Sequence, residues 1–301
     1  MRPIPIFMYH HVSPHKGDMV TVTPDVFEAQ MRFLAENGYR TLCAGEIVGY
    51  AAQEAPMKYF TSTFIPFRRG RGDKNLPSPL AGEGQGEGRL KAVAVTFDDG
   101  YLDNYVYVFH VLKKYNIKAT IFIVTDWVEA ASLNTVRSQG SEVRSNEIIV
   151  PSHNEGKSFV ASSQAHKVIK NWDMVKEMQD SGLIDFYSHT MTHRKCAELA
   201  EEDLIKELKY SKAIIEENLN APCPYLCWPK GSYSKRSVEA AKGAGYKALF
   251  TTERGIVKKG SDVFSIKRIV VKDNIIWFKN RVRIYTNPLF SWIYLTMRGS
   301  E

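Results

Sequence analysis

The fold is read most directly from the stretch Ala92-Val93-Ala94-Val95-Thr96-Phe97-Asp98-Asp99-Gly100. Its first six residues are apolar or β-branched and predict a buried strand, which ends at two carboxylates and a glycine. In a parallel sheet covered by helices, such a strand delivers the polar side chains at its exit to the carboxyl edge of the sheet. The stretch therefore predicts an α/β fold with acidic groups at one rim.

A second polar cluster follows another predicted strand further along the chain. The residues from Leu183 to Tyr187 predict a short strand, and its exit, Ser188-His189-Thr190-Met191-Thr192-His193, carries two histidines four positions apart. Taken alone, Asp-Asp-Gly is a common turn that caps a following helix, and two histidines at this spacing are often a surface pair. Because both clusters stand at predicted strand ends followed by helical patterns, we interpret them as parts of one site.

The residue types of this site suit a divalent metal ion. Two imidazoles and one carboxylate bind Zn²⁺ and leave one or two positions open for water, whose pKa then falls from about 15.7 toward about 7. Neighbouring side chains at the end of a strand point to different sides. Asp98 and Asp99 are therefore expected to have different roles, one binding the metal and the other accepting a proton.

The two motifs resemble the first two signature motifs of the polysaccharide deacetylases, carbohydrate esterase family 4, whose members remove acetyl groups from N-acetylated sugars. The resemblance continues through residues 4 to 272, with an aromatic-Pro-x-Gly turn, two closing strands and an amino-terminal segment. That last segment resembles the branch of the poly-β-1,6-N-acetylglucosamine deacetylases. The segments concerned are Tyr225-Leu226-Cys227-Trp228-Pro229-Lys230-Gly231-Ser232-Tyr233, Gly245-Tyr246-Lys247-Ala248-Leu249-Phe250-Thr251-Thr252 with Phe264 to Val270, and Pro5-Ile6-Phe7-Met8-Tyr9-His10-His11-Val12.

The resemblance implies a distorted barrel of about seven parallel strands with its catalytic groups on the carboxyl-terminal rim. The alternation of predicted strands and helices agrees with such an α/β barrel. We expect one deacetylase domain over residues 1–275. The predicted strands are 4–9, 92–97, 119–124 and 183–187, with others near 226 and 249, and the predicted helices begin at 24, 103, 172, 201 and 237.

Carried onto this sequence, the resemblance implies roles for five residues. Asp98 is the expected general base, while Asp99, His189 and His193 are the expected ligands of a zinc ion, with cobalt or nickel as alternatives. Many relatives carry a catalytic Leu-x-His near the last strand, but residues 265–269 contain no histidine. His10 is our candidate for the general acid, since imidazole titrates near neutral pH. The alternative for His10 is a hydrogen-bonded core histidine, and we expect His11 to be a bystander.

The third motif is expected to form a wall of the substrate groove. Trp228, Pro229 and Gly231 belong to it, and a backbone N–H near Gly231 is the expected donor to the oxyanion. Trp228 and Tyr233 could stack on a sugar, although Trp228 could equally be core. Lys230 stands where the family usually has an aromatic residue and could face an anionic sugar, Asp98 or water. The remaining candidate for sugar contact is Tyr101.

Two stretches interrupt the alternation of predicted strands and helices. Residues 58–91 hold six of the twenty glycines and no apolar pattern, so we expect a disordered insertion. Residues 128–171 are polar and are expected to form an irregular loop. The insertion carries a net charge of +4 out of the chain's +7, and the remaining chain is nearly balanced. The basic pI therefore does not indicate a nucleic-acid partner.

Several features bear on location and on contacts. Four scattered cysteines do not predict a disulfide framework, no signal peptide is recognised and no apolar run approaches ~18 residues, so a cytoplasmic protein is expected. Residues 276–301 form an aromatic and basic tail. This tail could pack on the barrel or make a peripheral contact with a membrane, in which case the substrate would be a lipid-linked glycan.

These observations predict a metal-dependent hydrolase that removes the N-acetyl group from N-acetylhexosamine units of a polysaccharide or glycolipid and releases acetate. Two alternatives stay open. The chain could be a carbohydrate-binding relative with little turnover, because the late histidine is missing. It could also hydrolyse an amide that is not part of a sugar.

Overall fold

The computed structural model describes residues 2–15, 21–53, 91–137, 155, 158–160, 162 and 164–298. The predicted insertion over residues 58–91 lies outside these ranges except for Lys91. Within the predicted loop over residues 128–171, residues 138–154 lie outside them as well.

Seven parallel strands close into a barrel, which confirms the predicted fold. The strands of the described chain are β1 (Ile6–Tyr9), β2 (His11–Val12), β3 (Thr21–Val22), β4 (Arg40–Leu42), β5 (Ala92–Phe97), β6 (Ala119–Ile123), β7 (Ile184–Ser188), β8 (Tyr225–Cys227), β9 (Ala248–Arg254) and β10 (Ile266–Val270). The barrel runs β1-β5-β6-β7-β8-β9-β10 and returns to β1. At the closure, Phe7 lies beside Val95 of β5 on one edge and beside Ile269 of β10 on the other. The short strand β4 pairs with the first half of β5, and β6 pairs with its second half.

The barrel strands are apolar because both of their faces are covered. Residues 93–97 of β5 and all five residues of β6 are buried, as expected for parallel strands enclosed by helices. Aromatic rings fill part of the core, with the Phe122 and Phe250 ring centroids 4.9 Å apart. Burial on this scale makes the strands a rigid frame for the polar residues at their ends.

Helices cover the outside of the barrel, and most begin where the sequence predicts. Thr23 has the extended backbone of an N-cap and Pro24 opens the first helix, while the Thr23 hydroxyl donates to Asp273 over 2.8 Å. The predicted helix from Asp103 begins with a wide π-turn, Asn104–Val108, before it continues as an α-helix. The α-helices whose bounds lie within the described residues are α1 (Pro24–Glu36), α2 (Ala44–Ala52), α3 (Phe109–Tyr115), α4 (Thr125–Arg137), α5 (Trp172–Asp180), α6 (Glu201–Leu219), α7 (Lys235–Gly243), α8 (Ile275–Tyr285) and α9 (Pro288–Arg298).

The expectation of an irregular loop over residues 128–171 is wrong at its start, because α4 continues to Arg137. Trp127, Val128 and Ala131 are buried, and their spacing is that of one helical face. Polar residues are frequent from Ser132 to Arg137, directly after this face, which is why the composition of the stretch suggested a loop. Ala165, at the other end of the stretch, is buried too.

The carboxyl-terminal segment forms two helices, α8 and α9. Helix α8 buries Phe278, Val282 and Tyr285, and the Phe278 ring lies 4.8 Å from that of Phe7 in β1. Helix α9 follows and packs on α8. No helix in the described ranges has the length and apolar character needed to cross a bilayer.

Candidate active site

The carboxyl ends of β5 and β7 bring the two polar motifs together. Asp99 follows β5, and its Oδ1 lies 3.3 Å from Nε2 of His189 and 3.2 Å from Nε2 of His193, both of which follow β7. All three side chains are buried. The three residues that the sequence suggested as metal ligands therefore present one oxygen and two nitrogens to a common point.

The spacing of these atoms suits a small divalent ion. Ligands at about 2.0–2.1 Å from a tetrahedral zinc ion lie about 3.3 Å from one another, which matches the separations from Asp99 to the two imidazoles. The donor atoms of the three residues all lie within 4.8 Å of one another. One carboxylate and two imidazoles are hard and borderline donors, so this cluster could hold a divalent metal ion.

Left-handed backbone conformations shape the loops that carry the ligands. Asp99, Thr190 and His193 have φ angles of 72°, 66° and 62°, and Gly100 follows Asp99 with a φ of 88°. Such angles are costly for residues with a Cβ and persist where the surroundings enforce them, most often at functional sites. The sharp turn after β5 points Asp98 and Asp99 toward different partners, as the adjacent carboxylates led us to expect.

A hydrogen bond fixes the orientation of His189. Its Nδ1 lies 2.9 Å from the carbonyl oxygen of Cys227. Because a carbonyl can only accept, Nδ1 carries a proton, and Nε2 is the ring nitrogen that faces Asp99. This is the usual way in which a second contact sets the tautomer of a metal-binding histidine.

Asp98 lies beside the candidate ligand His189, within 4.8 Å, and is paired with Arg268. The guanidinium donates from Nη1 to Oδ1 and from Nη2 to Oδ2, each over 2.7 Å, and its Nε donates to the carbonyl oxygen of Thr251 over 2.9 Å. Both partners are buried. Burial alone would raise the pKa of Asp98, but the charge and hydrogen bonds of Arg268, with smaller contributions from His189 and His10, hold that pKa below its ordinary value. Asp98 is therefore a buried carboxylate that stays ionised.

The sequence patterns did not predict a role for Arg268. In β10, Ile266 and Arg268 are buried while Lys267 between them is exposed. An arginine at the inward position of a strand is rare unless a carboxylate pairs with it. The position of Arg268 in the alternating pattern of β10 could therefore have indicated a buried ion pair. Cys227 was missed as well, and its Sγ lies 2.9 Å from Arg268 Nη2 and 3.7 Å from Asp98 Oδ2.

His10 follows β1 and faces Asp98 across the barrel rim. Its Nε2 lies 3.9 Å from Asp98 Oδ2, and its side chain keeps 15% of its surface exposed. Burial lowers the pKa of His10, opposed by the charges of Asp98 and Asp99 and aided by those of Arg268 and His189. His10 therefore combines access to the groove with contact to the candidate base.

His11 has a different environment from its neighbour. It is buried, its Nδ1 lies 2.7 Å from Asp103 Oδ2, and its ring centroid lies 3.7 Å from that of Tyr101. These contacts indicate that His11 has a structural role below the rim of the barrel.

Two of the expected sugar contacts are corrected by their burial. Trp228 has no exposed surface, and the ring of Tyr233 stacks on it with centroids 5.8 Å apart. Tyr101 is 1% exposed and packs between His11 and Trp127. Neither Trp228 nor Tyr101 can stack on a sugar in this arrangement. Tyr233 remains half-buried and accessible, so Trp228 supports it from behind.

The backbone of the third motif forms a tight turn. Gly231 donates its N–H to the carbonyl oxygen of Trp228 over 3.1 Å, so an oxyanion donor near Gly231 would have to be another N–H of this turn. Glycine is required there for the turn itself, because its φ is 64° and a Cβ would lie 2.0 Å from Oγ1 of Thr252. Pro229 is buried, and Lys230 is exposed with a φ of 56°.

Glu207 on α6 supports the loop between the two histidines, and sequence reasoning missed this residue too. Its Oε2 accepts hydrogen bonds from the backbone N–H groups of Met191 and Thr192 over 2.9 and 2.8 Å, and its Oε1 accepts from the Thr192 hydroxyl. Glu207 is 2% exposed. The available signal was its position in phase with Leu204 and Leu208 on the buried face of the predicted helix.

Replacing Glu207 by alanine should weaken metal binding by about 10- to 100-fold, because the loop that carries His189 and His193 loses its support. Glu207→Gln should lose less, since one oxygen can still accept from the two amides. Zinc affinity measured by competition with a chelating dye provides the test, with the exposed Glu202→Ala on the same helix as control. Equal affinities for Glu207→Ala and the control would show that the loop holds its shape without this residue.

A comparison with known proteins gives the family of this chain. A model of the polysaccharide deacetylase family matches residues 85–249. The chain belongs to the polysaccharide deacetylase family. Members of this family are hydrolases that remove N-acetyl groups.

Individual members of the polysaccharide deacetylase family resemble the chain along most of its length. The protein YxkH of Bacillus subtilis, which carries the family's name, is 28% identical over 268 residues, covering 89% of this chain and 71% of that protein. The poly-β-1,6-N-acetyl-D-glucosamine N-deacetylase of Escherichia coli is 24% identical over 299 residues, covering 88% of this chain but only 36% of that enzyme. Among solved structures, the Streptococcus pyogenes deacetylase PplD in complex with acetate shares the fold, with a TM-score of 0.66 at 22% identity and coverage of 95% and 99%.

Proposed function

We propose that this chain hydrolyses the N-acetyl group of N-acetylhexosamine units in a polysaccharide or lipid-linked glycan and releases acetate. The observation that carries the proposal is the juxtaposition of two carboxylates with separate tasks. Asp99 faces His189 and His193, while Asp98 beside it stays ionised against Arg268. The name of the Escherichia coli relative, a poly-β-1,6-N-acetyl-D-glucosamine N-deacetylase, supports an N-acetylglucosamine polymer as the substrate.

Asp99, His189 and His193 would hold a divalent ion, which we propose to be zinc, with cobalt or nickel as alternatives. Such an ion supplies a water of lowered pKa and polarises the acetyl carbonyl. The protein's own contribution is to fix the three donor atoms in a buried pocket, so that the site is formed before the substrate arrives.

Asp98 is the proposed general base. The reaction forms a bond between a water oxygen and the acetyl carbon, and a proton of that water passes to Asp98. Arg268 holds both carboxylate oxygens of Asp98 in place and keeps the group ionised before the reaction. The same pair of hydrogen bonds makes the carboxylate a weaker base. Arg268 therefore fixes the position of the Asp98 carboxylate but lowers its basicity.

His10 is the proposed general acid. When the bond between the acetyl carbon and the amide nitrogen breaks, the leaving amine needs a proton, and the imidazole of His10 faces the same space as Asp98. Its lowered pKa makes the protonated form a stronger acid. We also propose the backbone N–H of Lys230, which precedes Gly231 in the turn of the third motif, as the oxyanion donor.

Replacing His10 by asparagine should lower the rate of acetate release by about 10²–10⁴-fold, while zinc affinity stays unchanged because His10 is not among the ligands. Hydrolysis of 4-nitrophenyl acetate should fall much less, since nitrophenolate leaves without a proton. Rates with both substrates, compared with those of the exposed His15→Asn control, measure the difference. An equal loss with both substrates would assign His10 a purely structural role.

Acetate release from N-acetylglucosamine oligomers tests the proposed function as a whole. The protein is stripped with a chelator, reloaded separately with zinc, cobalt or nickel, and incubated with β-1,6-linked and β-1,4-linked oligomers. We expect release only from metal-loaded protein and preferentially from the β-1,6-linked oligomers. If oligomers bind to the metal-loaded protein without any release of acetate, the chain is a carbohydrate-binding relative. If they do not bind at all, the substrate is another amide.

A further inference from the structure

Helix α9 turns an apolar face away from the protein. Leu289, Phe290, Trp292 and Ile293 are exposed, with 60% of Leu289 and 61% of Trp292 accessible, while Ser291 between them is buried. Leu289, Trp292 and Ile293 are three and four positions apart and therefore share one side of the helix. A helix that packs on a soluble core normally shows the reverse pattern. An outward apolar face of this kind marks an interaction site.

A basic cavity opens beside this apolar face. It has a volume of about 540 Å³, and its lining includes Arg2, Lys91, Arg281 and Arg283 together with Phe290 of α9. None of the described residues that line it is acidic. Phe290 belongs both to the cavity wall and to the exposed apolar residues, so the cationic and apolar surfaces are continuous. We call these two surfaces together the C-terminal face.

We infer that the C-terminal face docks on an anionic phospholipid bilayer. In this arrangement α9 lies in the plane of the interface with Leu289, Trp292 and Ile293 among the acyl chains, as amphipathic helices do. The four cations then meet the lipid phosphates, and each cation near an anionic surface strengthens binding by about fivefold. Tryptophan suits this depth because its ring is apolar while its N–H remains near water.

Charge argues against a second copy of the chain as the occupant. A symmetric dimer would apply the same surface of both subunits to each other. The four cations of one cavity would then face the four cations of the other without a described acidic partner in the lining. An anionic bilayer complements both the charge and the apolar helix.

The position of the C-terminal face in the barrel has a consequence for the substrate. Arg2 precedes β1 and Lys91 precedes β5, so the cavity borders the amino-terminal end of the barrel. The candidate active site lies at the opposite, carboxyl-terminal rim, after the same two strands. Docking therefore leaves the catalytic groove facing away from the bilayer, an arrangement that favours a polymer over the head group of a lipid in the same membrane.

Co-sedimentation of the full chain with vesicles tests the inference. We expect binding to vesicles of phosphatidylcholine mixed with phosphatidylglycerol, weaker binding as salt is raised, and little binding to phosphatidylcholine alone. The double variant Trp292→Ser and Ile293→Ser should weaken binding more than about tenfold. The double variant Lys91→Gln and Arg281→Gln should weaken it about 25-fold, because two cations are lost.

Matched controls come from helix α6, which does not border the cavity. Tyr210 is exposed to a similar degree as Phe290, and Lys209 beside it is exposed too, so Tyr210→Ser and Lys209→Gln should bind vesicles like the unmodified chain. Circular dichroism and acetate release from soluble oligomers should be unchanged in all variants, since none of these residues belongs to the active site. Equal binding to neutral and anionic vesicles, or no effect of either double variant, would overturn the inference. So would a dimer in gel filtration that dissociates on Trp292→Ser, because the face would then belong to a second copy.

Discussion

Asp98→Asn should reduce acetate release by about 10²–10⁴-fold, because asparagine has the shape of aspartate but cannot accept the proton of the attacking water. Zinc binding should persist, since the three candidate ligands Asp99, His189 and His193 are unchanged. Initial rates with N-acetylglucosamine oligomers and zinc affinity measured in parallel separate these two effects. The matched control is Asp185→Asn, the same substitution near the start of β7, at the end of the strand away from His189. It should leave the rate unchanged.

Asp98→Asn also leaves the charge of Arg268 buried without its partner, so a loss of activity could reflect a loss of stability. The double variant Asp98→Asn with Arg268→Met removes both charges and resolves this question. It should regain stability while remaining inactive. If the double variant recovered activity, Asp98 would not be the base, and the proton would have to pass to another group.

Arg268→Met should lower the free energy of unfolding by about 3–5 kcal/mol, the usual cost of removing one partner of a buried ion pair. The cause is Asp98, which keeps its burial but loses two hydrogen bonds and the compensating charge. Urea unfolding of the two proteins in the presence of a chelator measures the difference without a contribution from metal. Lys267→Met, at the neighbouring exposed position of β10, loses only a surface ion pair with Glu253, for which a change of about 0–1 kcal/mol is expected.

The stability difference between Arg268→Met and the unmodified protein should depend on pH in a defined direction. In the unmodified protein the folded-state pKa of Asp98 is depressed. The contribution of Asp98 is therefore present above its unfolded pKa of about 3.9 and is lost as pH falls through the lower folded value. In the variant, burial without the guanidinium raises the folded-state pKa. Asp98 then favours the fold below about pH 3.9 and opposes it as pH rises through the raised value.

The gap in unfolding free energy should therefore be smallest below the depressed folded-state pKa of Asp98 and widen through about pH 3.9 toward neutral pH. Unfolding at a series of pH values measures it, with Asp98→Asn plus Arg268→Met as the reference that lacks both charges. A gap that does not change with pH would mean that the cost of Arg268→Met comes from packing and not from the ionised carboxylate of Asp98.

Much of the barrel was predictable because parallel strands buried on both faces appear in the sequence as short apolar runs. Strand β5 has the bounds that the pattern predicts, helix α6 begins at the predicted residue, and the barrel of seven strands is confirmed. The first part of the predicted loop was wrong because the apolar face of α4 is short and followed by polar residues. Local patterns therefore located the elements that bury a continuous or strongly periodic surface, and missed the one that does not.

The candidate site divides in the same way. Asp98, Asp99, His189 and His193 were accessible from the sequence because each pair is contiguous or closely spaced, and each follows a strand whose end defines the rim. The roles of Trp228, Tyr101 and the Gly231 amide could not be judged, because burial and hydrogen bonding depend on neighbours from other strands. Sequence patterns report a residue's type and its phase within an element, and they do not report what covers it.

By itself the sequence determined a parallel α/β fold and the four polar residues at its rim, because buried strands and their exits leave patterns within a few consecutive residues, while the closed barrel was implied by the family resemblance. Only the tertiary structure shows which residues surround these four polar side chains. Arg268 meets Asp98 across 170 positions of chain, and Glu207 reaches the loop of His189 from a separate helix. The physical reason is that closing the barrel brings β5 and β10 onto opposite edges of β1. A buried charge is stable only beside a partner, and the closure of the barrel determines which distant residue can be that partner.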